Sequence, residues 1–188
     1  MSMKLVILGL LLERERHPYE IMLVMKERSY NQMMKLQMGS LYYAVDKLAE
    51  EGHICATETI RSSDRPDKTI YRITDQGRAL FEQLVLQQIK KYEQVYHPLY
   101  MALALSRHID QSKVEKVLEE RIRETEHQVN FYYQVYEEHV MSVPRSALHL
   151  MYGRYEHSLT ELNWLKRLHA DVAARKLNDI GSPLFADS

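Results

Sequence analysis

The sequence contains little cysteine, glycine or proline. Its single cysteine, Cys55, excludes an intramolecular disulfide, and only six glycines and five prolines disfavour disordered chains and turn-rich all-β folds. Cys55 stands in a strand-like stretch, and we expect it to be a small apolar residue of the core. A lone cysteine also suits a reducing compartment, so a cytoplasmic protein is expected.

The sequence also lacks an excess of one charge and a long hydrophobic run. The formal net charge is −1, and residues 1–78 carry 12 Lys and Arg against 11 Asp and Glu. Any contact with nucleic acid must therefore depend on locally placed charges rather than on a global field. The apolar run at residues 5–12 is too short to cross a bilayer. Charges follow it directly, so we expect a buried helix, no signal peptide and no membrane contact.

The most informative segment is residues 39–52, which has the apolar spacing of a short amphipathic helix. Ser40 is a suitable N-cap and Gly52 a suitable C-terminal stop, so a helix is predicted over residues 40–51. Residues 53–60 and 68–74 have strand-like patterns, and residues 61–67 form a turn by composition. The order helix, strand, turn, strand is that of the second half of a winged helix-turn-helix.

The remaining segments are predicted to be helical. Helices are expected at residues 4–14 and 18–26, then at 76–97 after a cap at Asp75, at 99–107, from Asp110 or Ser112, and from Pro144. The prediction is a mainly α protein: a winged helix-turn-helix with a two-stranded β-wing at 1–78, an all-helical dimerisation domain at 79–177 and a loose tail at 178–188. The apolar stripes of the last two helices are too long for a lone helical hairpin to bury, which predicts a homodimer.

The helix at 40–51 and the turn at 61–67 carry the candidate contacts to double-stranded DNA. Side chains near the N-terminus of a helix read base edges in the major groove, and cations on a wing contact phosphates or the minor groove. The candidate DNA-binding residues are Lys35, Gln37, Ser40, Tyr42, Tyr43, Lys47, Arg61, Arg65 and Lys68. The alternative is a winged helix that docks another protein, with these side chains forming an ordinary solvated face.

Five short segments stand in order along residues 4–84: ILGLL at 7–11, HPYEI at 17–21, GSLYYAV at 39–45, LAEEGHI at 48–54 and YRITDQG at 71–77. Together they resemble the PadR family of bacterial transcriptional regulators, and the long C-terminal half resembles the larger subgroup of that family. The resemblance implies a dimeric repressor that binds an inverted-repeat operator and dimerises through its C-terminal helices. The family pattern usually has Gly where this chain has Pro18 and Pro where it has Tyr43.

The C-terminal half is rich in tyrosine and histidine. A tyrosine ring with its polar tip suits a pocket for a flat aromatic ligand. The resemblance implies that some family members respond to small aromatic molecules, phenolic acids among them. The candidate effector-pocket residues are Tyr96, Tyr132, Tyr136 and Tyr152. Packing in the core and the dimer interface is the plainer interpretation of these tyrosines, and the one we prefer from the sequence alone.

The sequence shows no signature of catalysis or of a metal site. No two histidines have the His-x3-His spacing that places imidazoles on adjacent helix turns, so no metal is predicted. Nucleophile elbows, phosphate-binding loops and paired catalytic carboxylates are not recognisable either. The chain is therefore expected to be neither an enzyme nor a protein that needs a cofactor.

Overall fold

A computed structural model describes residues 3–32, 34–60, 68–92 and 97–184 of the chain. The chain divides into an N-terminal unit, Met1–Gln94, and a C-terminal unit, Val95–Ser188. The elements of the first unit are α1 (Met3–Glu13), α2 (Pro18–Glu27), α3 (Met38–Glu50), β1 (Ile54–Ile60), β2 (Lys68–Ile73) and α4 (Asp75–Lys90). Those of the second are α5 (Pro98–Leu105), α6 (Gln111–His139) and α7 (Arg145–Ala173). The mainly α fold with a two-stranded wing is thus confirmed.

The core of the N-terminal unit is built around α1, whose sequence is apolar on nearly every side. Ile7 and Leu8 are fully buried, and they belong to one cluster with the inner faces of α2 and α3 and with Ile54 and Ile73 of the strands. Each such side chain stabilises the fold by about 1.5–3 kcal/mol when it is removed from water. The cluster therefore holds α3 and the wing on the same apolar centre.

Helix α3 begins earlier than its sequence suggests. Its N-cap is Gln37 and its first residue is Met38, so the prediction of Ser40 as the N-cap is wrong. Ser40 lies within the first turn instead, because the extended backbone that precedes a helix is found at Gln37. The predicted stop is right: Gly52 follows the C-cap with a φ of +75°, a conformation that disfavours a side chain.

The sequence predicted Asp75 as the cap of α4, but the structure shows that Thr74 caps this helix. The Thr74 hydroxyl accepts a hydrogen bond from the Gly77 amide at 3.1 Å and donates one to the Gly52 carbonyl at 2.7 Å. A Cβ at Gly77 would lie 2.0 Å from the carbonyl oxygen of His53. The first turn of α4 can therefore pack against the backbone that follows α3 only because residue 77 has no side chain.

Helix α4 is also shorter than predicted and belongs with the N-terminal unit. It ends at Lys90, whereas the sequence suggested a helix to residue 97, and Pro98 begins α5 rather than interrupting α4. The ring of Phe81 on α4 lies 3.2 Å from the Cβ position of Gly9 on α1. Helix α4 thus packs on α1 within the N-terminal unit, Met1–Gln94, and the division at residue 78 expected from the sequence stays a prediction.

The C-terminal unit is an antiparallel hairpin of two long helices with α5 beside it. Residues paired across α6 and α7 run in opposite order, from Glu115 with Arg175 to Tyr136 with Tyr152. Its small core is formed by Leu118, Leu165, Leu168 and Val172, with Leu99 and Leu103 of α5 against it. Of the helices that the structure describes, none is long and apolar enough to cross a membrane.

Cys55 does not belong to the core. Strand β1 turns Ile54 inward, at 2% exposure, so its neighbour Cys55 lies towards the other face and is only half-buried. The guanidinium of Arg72 on β2 lies 3.8 Å from the Cys55 sulfur. The prediction that Cys55 belongs to the core is therefore wrong, because its neighbour Ile54 is the residue that β1 turns into the core.

Candidate nucleic-acid interface

Helix α3 has one buried face and one exposed face. Leu41 and Leu48 are fully buried in the core, whereas Tyr43 on the opposite side is 66% exposed. Tyr42 and Ser40 are also exposed. An i, i+4 step places Tyr43 and Lys47 along the same line of the helix surface. The structure therefore leaves an uncovered polar and aromatic face on the helix that the sequence assigned to base reading.

The N-terminus of α3 is open to a ligand. Apart from the adjacent residues and the helix's own backbone, no described atom lies within 4 Å of a Cβ placed on Gly39, and the Gln37 side chain caps none of the described backbone N–H groups. The first turn of a helix carries unpaired N–H groups and the positive end of the helix dipole, which together favour an anion. Lys35 and Gln37 are exposed just ahead of this turn, where they can add charge and a hydrogen bond to a phosphate.

Lys47 is already engaged by a neighbouring carboxylate. Its Nζ lies 2.5 Å from Oε2 of Glu50, and this hydrogen bond raises the pKa of Lys47. The pair keeps the ammonium protonated. The Glu50 carboxylate also offsets its charge, so the attraction of Lys47 for a second anion is weaker. To contact a phosphate, Lys47 must exchange Glu50 for it.

The wing is an antiparallel hairpin whose tip lies outside the described residues. Its strands pair from Ile54 with Ile73 to Ile60 with Lys68, with an irregularity between Ala56 and Glu58. Lys68 is the first residue of β2, and only its backbone is described. The predicted contacts Arg61 and Arg65 both belong to residues 61–67, outside the described ranges.

The base of the wing is fastened to α1 by Arg16, a role that the sequence analysis missed. The backbone of Arg16 forms two hydrogen bonds with Tyr71 of β2, at 3.1 and 3.2 Å, as a third short strand would. Its side chain is 4% exposed and donates to the Leu10 carbonyl at 3.2 Å and to Glu13 at 2.6 Å. In sequence, residues 13–16 are simply a charged turn, and nothing there signals a buried arginine.

A second arginine joins the same carboxylate. Both amino groups of Arg28, which follows α2, donate to Glu13, at 2.5 and 2.9 Å. These bonds, with further contributions from the charges of Arg28 and Arg16, hold the pKa of Glu13 below its usual value. Glu13, Arg16 and Arg28, named here the Glu13 clasp, thus connect α1, the end of α2 and the wing.

The wing base also carries two cations that the sequence analysis did not single out. Arg72 and Arg78 line a polar depression of about 390 Å³ together with Thr74 and Asp75. Contact with the Cys55 sulfur raises the pKa of Arg72, so this guanidinium remains charged. Arg72 belongs to the segment at 71–77 that resembles the family and Arg78 follows that segment directly, but the strand pattern alone gave no reason to favour either residue.

Two of the four predicted effector residues meet in one cavity. The rings of Tyr136 and Tyr152 pack edge to face with centroids 4.9 Å apart. They line a cavity of about 510 Å³ at the turn between α6 and α7, with Val140, Val143, Arg145, Leu148 and His149 as the other lining residues. Arg145 and His149 were not predicted as pocket residues. Arg145 follows Pro144 at the start of α7, beside the turn at which the cavity lies.

The other two predicted effector residues do not line this cavity. The hydroxyl of Tyr132 accepts a hydrogen bond from Arg154 at 2.6 Å, and the guanidinium carbon lies 4.4 Å from the ring centroid. Tyr132 therefore makes a cation–π contact between α6 and α7 and does not line the cavity. Tyr96 lies outside the described residues.

Comparison with known proteins agrees with this geometry. Residues 7–83 match the profile of the transcriptional regulator PadR-like family. The fold is similar to that of Bacillus subtilis PadR in complex with operator DNA, with a TM-score of 0.72 at 20% identity over 90% of this chain and 98% of that one. The same regulator in complex with p-coumaric acid gives a TM-score of 0.73 at 19% identity, with the same coverage.

A third similar structure is the virulence activator AphA of Vibrio cholerae, with a TM-score of 0.65 at 18% identity over 93% of this chain and 99% of that one. No curated protein matches the sequence. The family profile spans α1 to α4, the elements that carry the open face of α3 and the wing. Residues 7–83 therefore resemble the PadR-like family of transcriptional regulators, a family of DNA-binding proteins that are not enzymes.

Proposed function

We propose that this protein is a dimeric repressor that binds an inverted-repeat operator and is released by a small aromatic effector. The observation that carries the proposal is the exposed face of α3: Tyr43 is 66% exposed on a helix whose opposite side is fully buried. A rigid helix with one uncovered face and an open N-terminus suits insertion into a major groove. Such a protein acts in the cytoplasm, in keeping with its single reduced cysteine.

In the proposed complex, α3 and the wing have separate tasks. Ser40, Tyr42 and Tyr43 meet base edges, while the helix N-terminus, Lys35, Gln37 and Lys47 hold phosphates. The wing residues Arg61, Arg65 and Lys68 contact the backbone or the minor groove. Support comes from the solved complex of Bacillus subtilis PadR with operator DNA, whose fold this chain shares. With few free cations on α3, a second copy of the chain must double the phosphate contacts.

Dimerisation is supported by the apolar residues that the C-terminal unit leaves exposed. Leu105, Ile109, Val117 and Phe131 are between 51% and 64% exposed. Val117 and Leu105 also line an apolar groove of about 390 Å³ between α5 and α6. Exposed apolar residues gathered at a groove mark an interaction site in soluble proteins. We assign it to the homodimer, since long apolar seams on helices pack against partner helices.

An aromatic effector is supported by the chemistry of the cavity between α6 and α7. Its volume of about 510 Å³ suits a small molecule, and Tyr136 and Tyr152 offer ring faces to a flat ligand. Arg145 adds a fixed positive charge at the same wall. The combination fits a small aromatic carboxylic acid, and the Bacillus subtilis relative has been solved with p-coumaric acid.

The test is fluorescence anisotropy with labelled DNA from upstream of the gene and a shuffled sequence of equal length. We expect a marked preference for the upstream fragment, affinity that falls steeply between 50 and 200 mM salt as is usual for phosphate contacts, and release by phenolic acids. Equal affinity for both fragments would contradict operator recognition and would favour the alternative of a winged helix that docks another protein. Retained binding without release would contradict only the effector.

A further inference from the structure

A cluster of potential metal ligands lies across the hairpin at the end remote from the tyrosine cavity. Glu115 and Glu119 stand one turn apart on α6, and His169 faces them from α7. One ligand atom from each side chain lies within 4.8 Å of the other two. Glu115 and His169 are half-buried and Glu119 is exposed. The three groups therefore converge from two helices onto one point.

His169 is the unusual member of the cluster. Its Nε2 is shielded from water and forms no hydrogen bond within the part of the chain that the structure describes. The Oε1 of Glu119 is 3.6 Å away, too far for a hydrogen bond. Buried polar atoms normally have a partner, and each exception needs an explanation. The Nε2 atom of His169 thus lies within ion-pair range of the Glu119 carboxylate but has no hydrogen bond, and a cation at this point would supply the missing partner.

We propose that Glu115, Glu119 and His169 bind a divalent first-row transition-metal ion, with Zn²⁺ the best-suited probe. Zinc accepts imidazole nitrogen and carboxylate oxygen at about 2.0–2.2 Å, and three protein ligands leave a fourth position for water. The imidazole disfavours Mg²⁺ and Ca²⁺, which prefer oxygen ligands. Ligand atoms on a tetrahedral ion lie about 3.4 Å apart, so the long glutamate side chains need to close by about 1 Å.

Arg175 is the natural competitor for this site. Its Nη1 lies 3.3 Å from Oε2 of Glu115, so a guanidinium partly neutralises the cluster. Arg175 follows α7 with a φ of +61°, a conformation that glycine adopts more readily than arginine. Arg175→Gly removes the competing charge and suits the backbone at the same time. It should therefore strengthen metal binding, an effect that no merely structural role of the cluster predicts.

Metal binding would connect α6 to the C-terminal end of α7. The cluster stands beside Leu118, Leu168 and Val172, which belong to the small core of the hairpin. Because the ion binds the folded hairpin and not the unfolded chain, occupancy should raise the thermal stability of the protein. The site is separate from α3 and the tyrosine cavity, so the inference does not depend on the proposed operator or effector.

The experiment uses the full chain after chelator treatment, with Zn²⁺ in calorimetric titration and thermal denaturation, and Co²⁺ absorption as a report of coordination. We expect one ion per chain and a raised Tm in the wild type. His169→Ala and Glu119→Gln should each weaken binding by roughly tenfold or more, and Arg175→Gly should tighten it. Glu119 is exposed, so Glu119→Gln folds even if His169→Ala is unstable.

The matched controls are Glu120→Gln on α6 and His157→Ala on α7, which change the same residue types at exposed positions outside the cluster. Both should bind Zn²⁺ as the wild type does. The proposal is overturned if the wild type takes up no stoichiometric ion. It is equally overturned if His157→Ala lowers affinity as much as His169→Ala, since binding would then come from scattered surface histidines.

Discussion

Tyr43 is the side chain on α3 whose role can be separated most cleanly from stability. At 66% exposure it contributes little to the core, so Tyr43→Ala should leave the free energy of unfolding nearly unchanged. If Tyr43 reads bases, the substitution should change the ranking of operators that differ at single base pairs, by about 1–3 kcal/mol at the affected position. Anisotropy with a panel of such operators measures this change, and Tyr92→Ala, at another exposed tyrosine, is the control.

Arg65→Ala provides the contrasting outcome for a residue that is proposed to contact phosphate. We expect weaker binding to every sequence and a salt dependence flatter by about one unit of slope. Ranking among operators should not change, because a phosphate contact carries no sequence information. If Tyr43→Ala and Arg65→Ala lower affinity by the same factor on every operator, base reading by Tyr43 is refuted.

Gly77 tests how closely α4 and the end of α3 approach. A Cβ there would lie 2.0 Å from the His53 carbonyl oxygen, and backbone cannot yield as a flexible side chain can. Gly77→Ala should therefore lower the free energy of unfolding of the N-terminal unit by about 1–3 kcal/mol or more. Gly153→Ala is the matched control. Gly153 is helical, and a Cβ there would meet no described atom within 4 Å outside its own helix backbone and adjacent residues, so the substitution should stabilise α7 by about 0.5–1 kcal/mol. Chemical denaturation distinguishes the two.

At the scale of the element, the Glu13 clasp joins three segments through one carboxylate. Because the folded-state pKa of Glu13 is lowered, first by its hydrogen bond with Arg28, the clasp stabilises the fold fully above the unfolded pKa near 4.5. That stabilisation is lost as pH falls through the folded pKa. Glu13→Gln should therefore reduce stability at neutral pH and make it less dependent on pH below 4.5. Urea denaturation between pH 3 and 6 measures this. If the free energies of unfolding of the wild type and of Glu13→Gln change in parallel with pH, the stabilising role of the clasp is refuted.

The start of α7 carries the charge that we propose to select the effector. Arg145 lines the tyrosine cavity and is exposed at its mouth, so its replacement should not disturb the core. Arg145→Gln should weaken aromatic carboxylates by about tenfold, as expected for the loss of a charged hydrogen bond worth about 1.5 kcal/mol. Binding of the corresponding uncharged phenols should not change. Calorimetric titration with matched acid and phenol pairs measures the difference, and equal losses would place Arg145 outside the ligand contacts.

At the scale of the whole molecule, operator affinity should depend on association of two chains. Val117 is 64% exposed and lines the apolar groove between α5 and α6. Val117→Glu places a charge where the partner is proposed to pack, and should shift sedimentation toward the monomer and weaken operator binding. Glu120→Ala, a change at an exposed polar position of the same helix, should leave both unchanged. A Val117→Glu protein that sediments and binds as the wild type does would exclude this surface from the interface.

Much of the N-terminal unit was predictable because its signals are local. The apolar spacing of α3, the left-handed Gly52 and the two strand patterns each depend on residues adjacent in sequence. The true caps, Gln37 and Thr74, were missed by one to three positions, since two polar residues close together can each cap a helix and tertiary packing chooses between them. The end of α4 at Lys90 was missed because a helix-favouring composition continues past it.

The sequence by itself determined the resemblance of residues 7–83 to the PadR-like family, the mainly α fold, the wing and the helix that faces outward. Each of these follows from short-range periodicity and from motifs contiguous in the chain. Only the tertiary structure decided which distant side chains meet. Arg16 and Arg28 converge on Glu13, Tyr136 and Tyr152 share a cavity without Tyr132, and His169 faces two glutamates some fifty residues earlier. Such meetings depend on the relative rotation of packed helices, for which a linear pattern carries no signal.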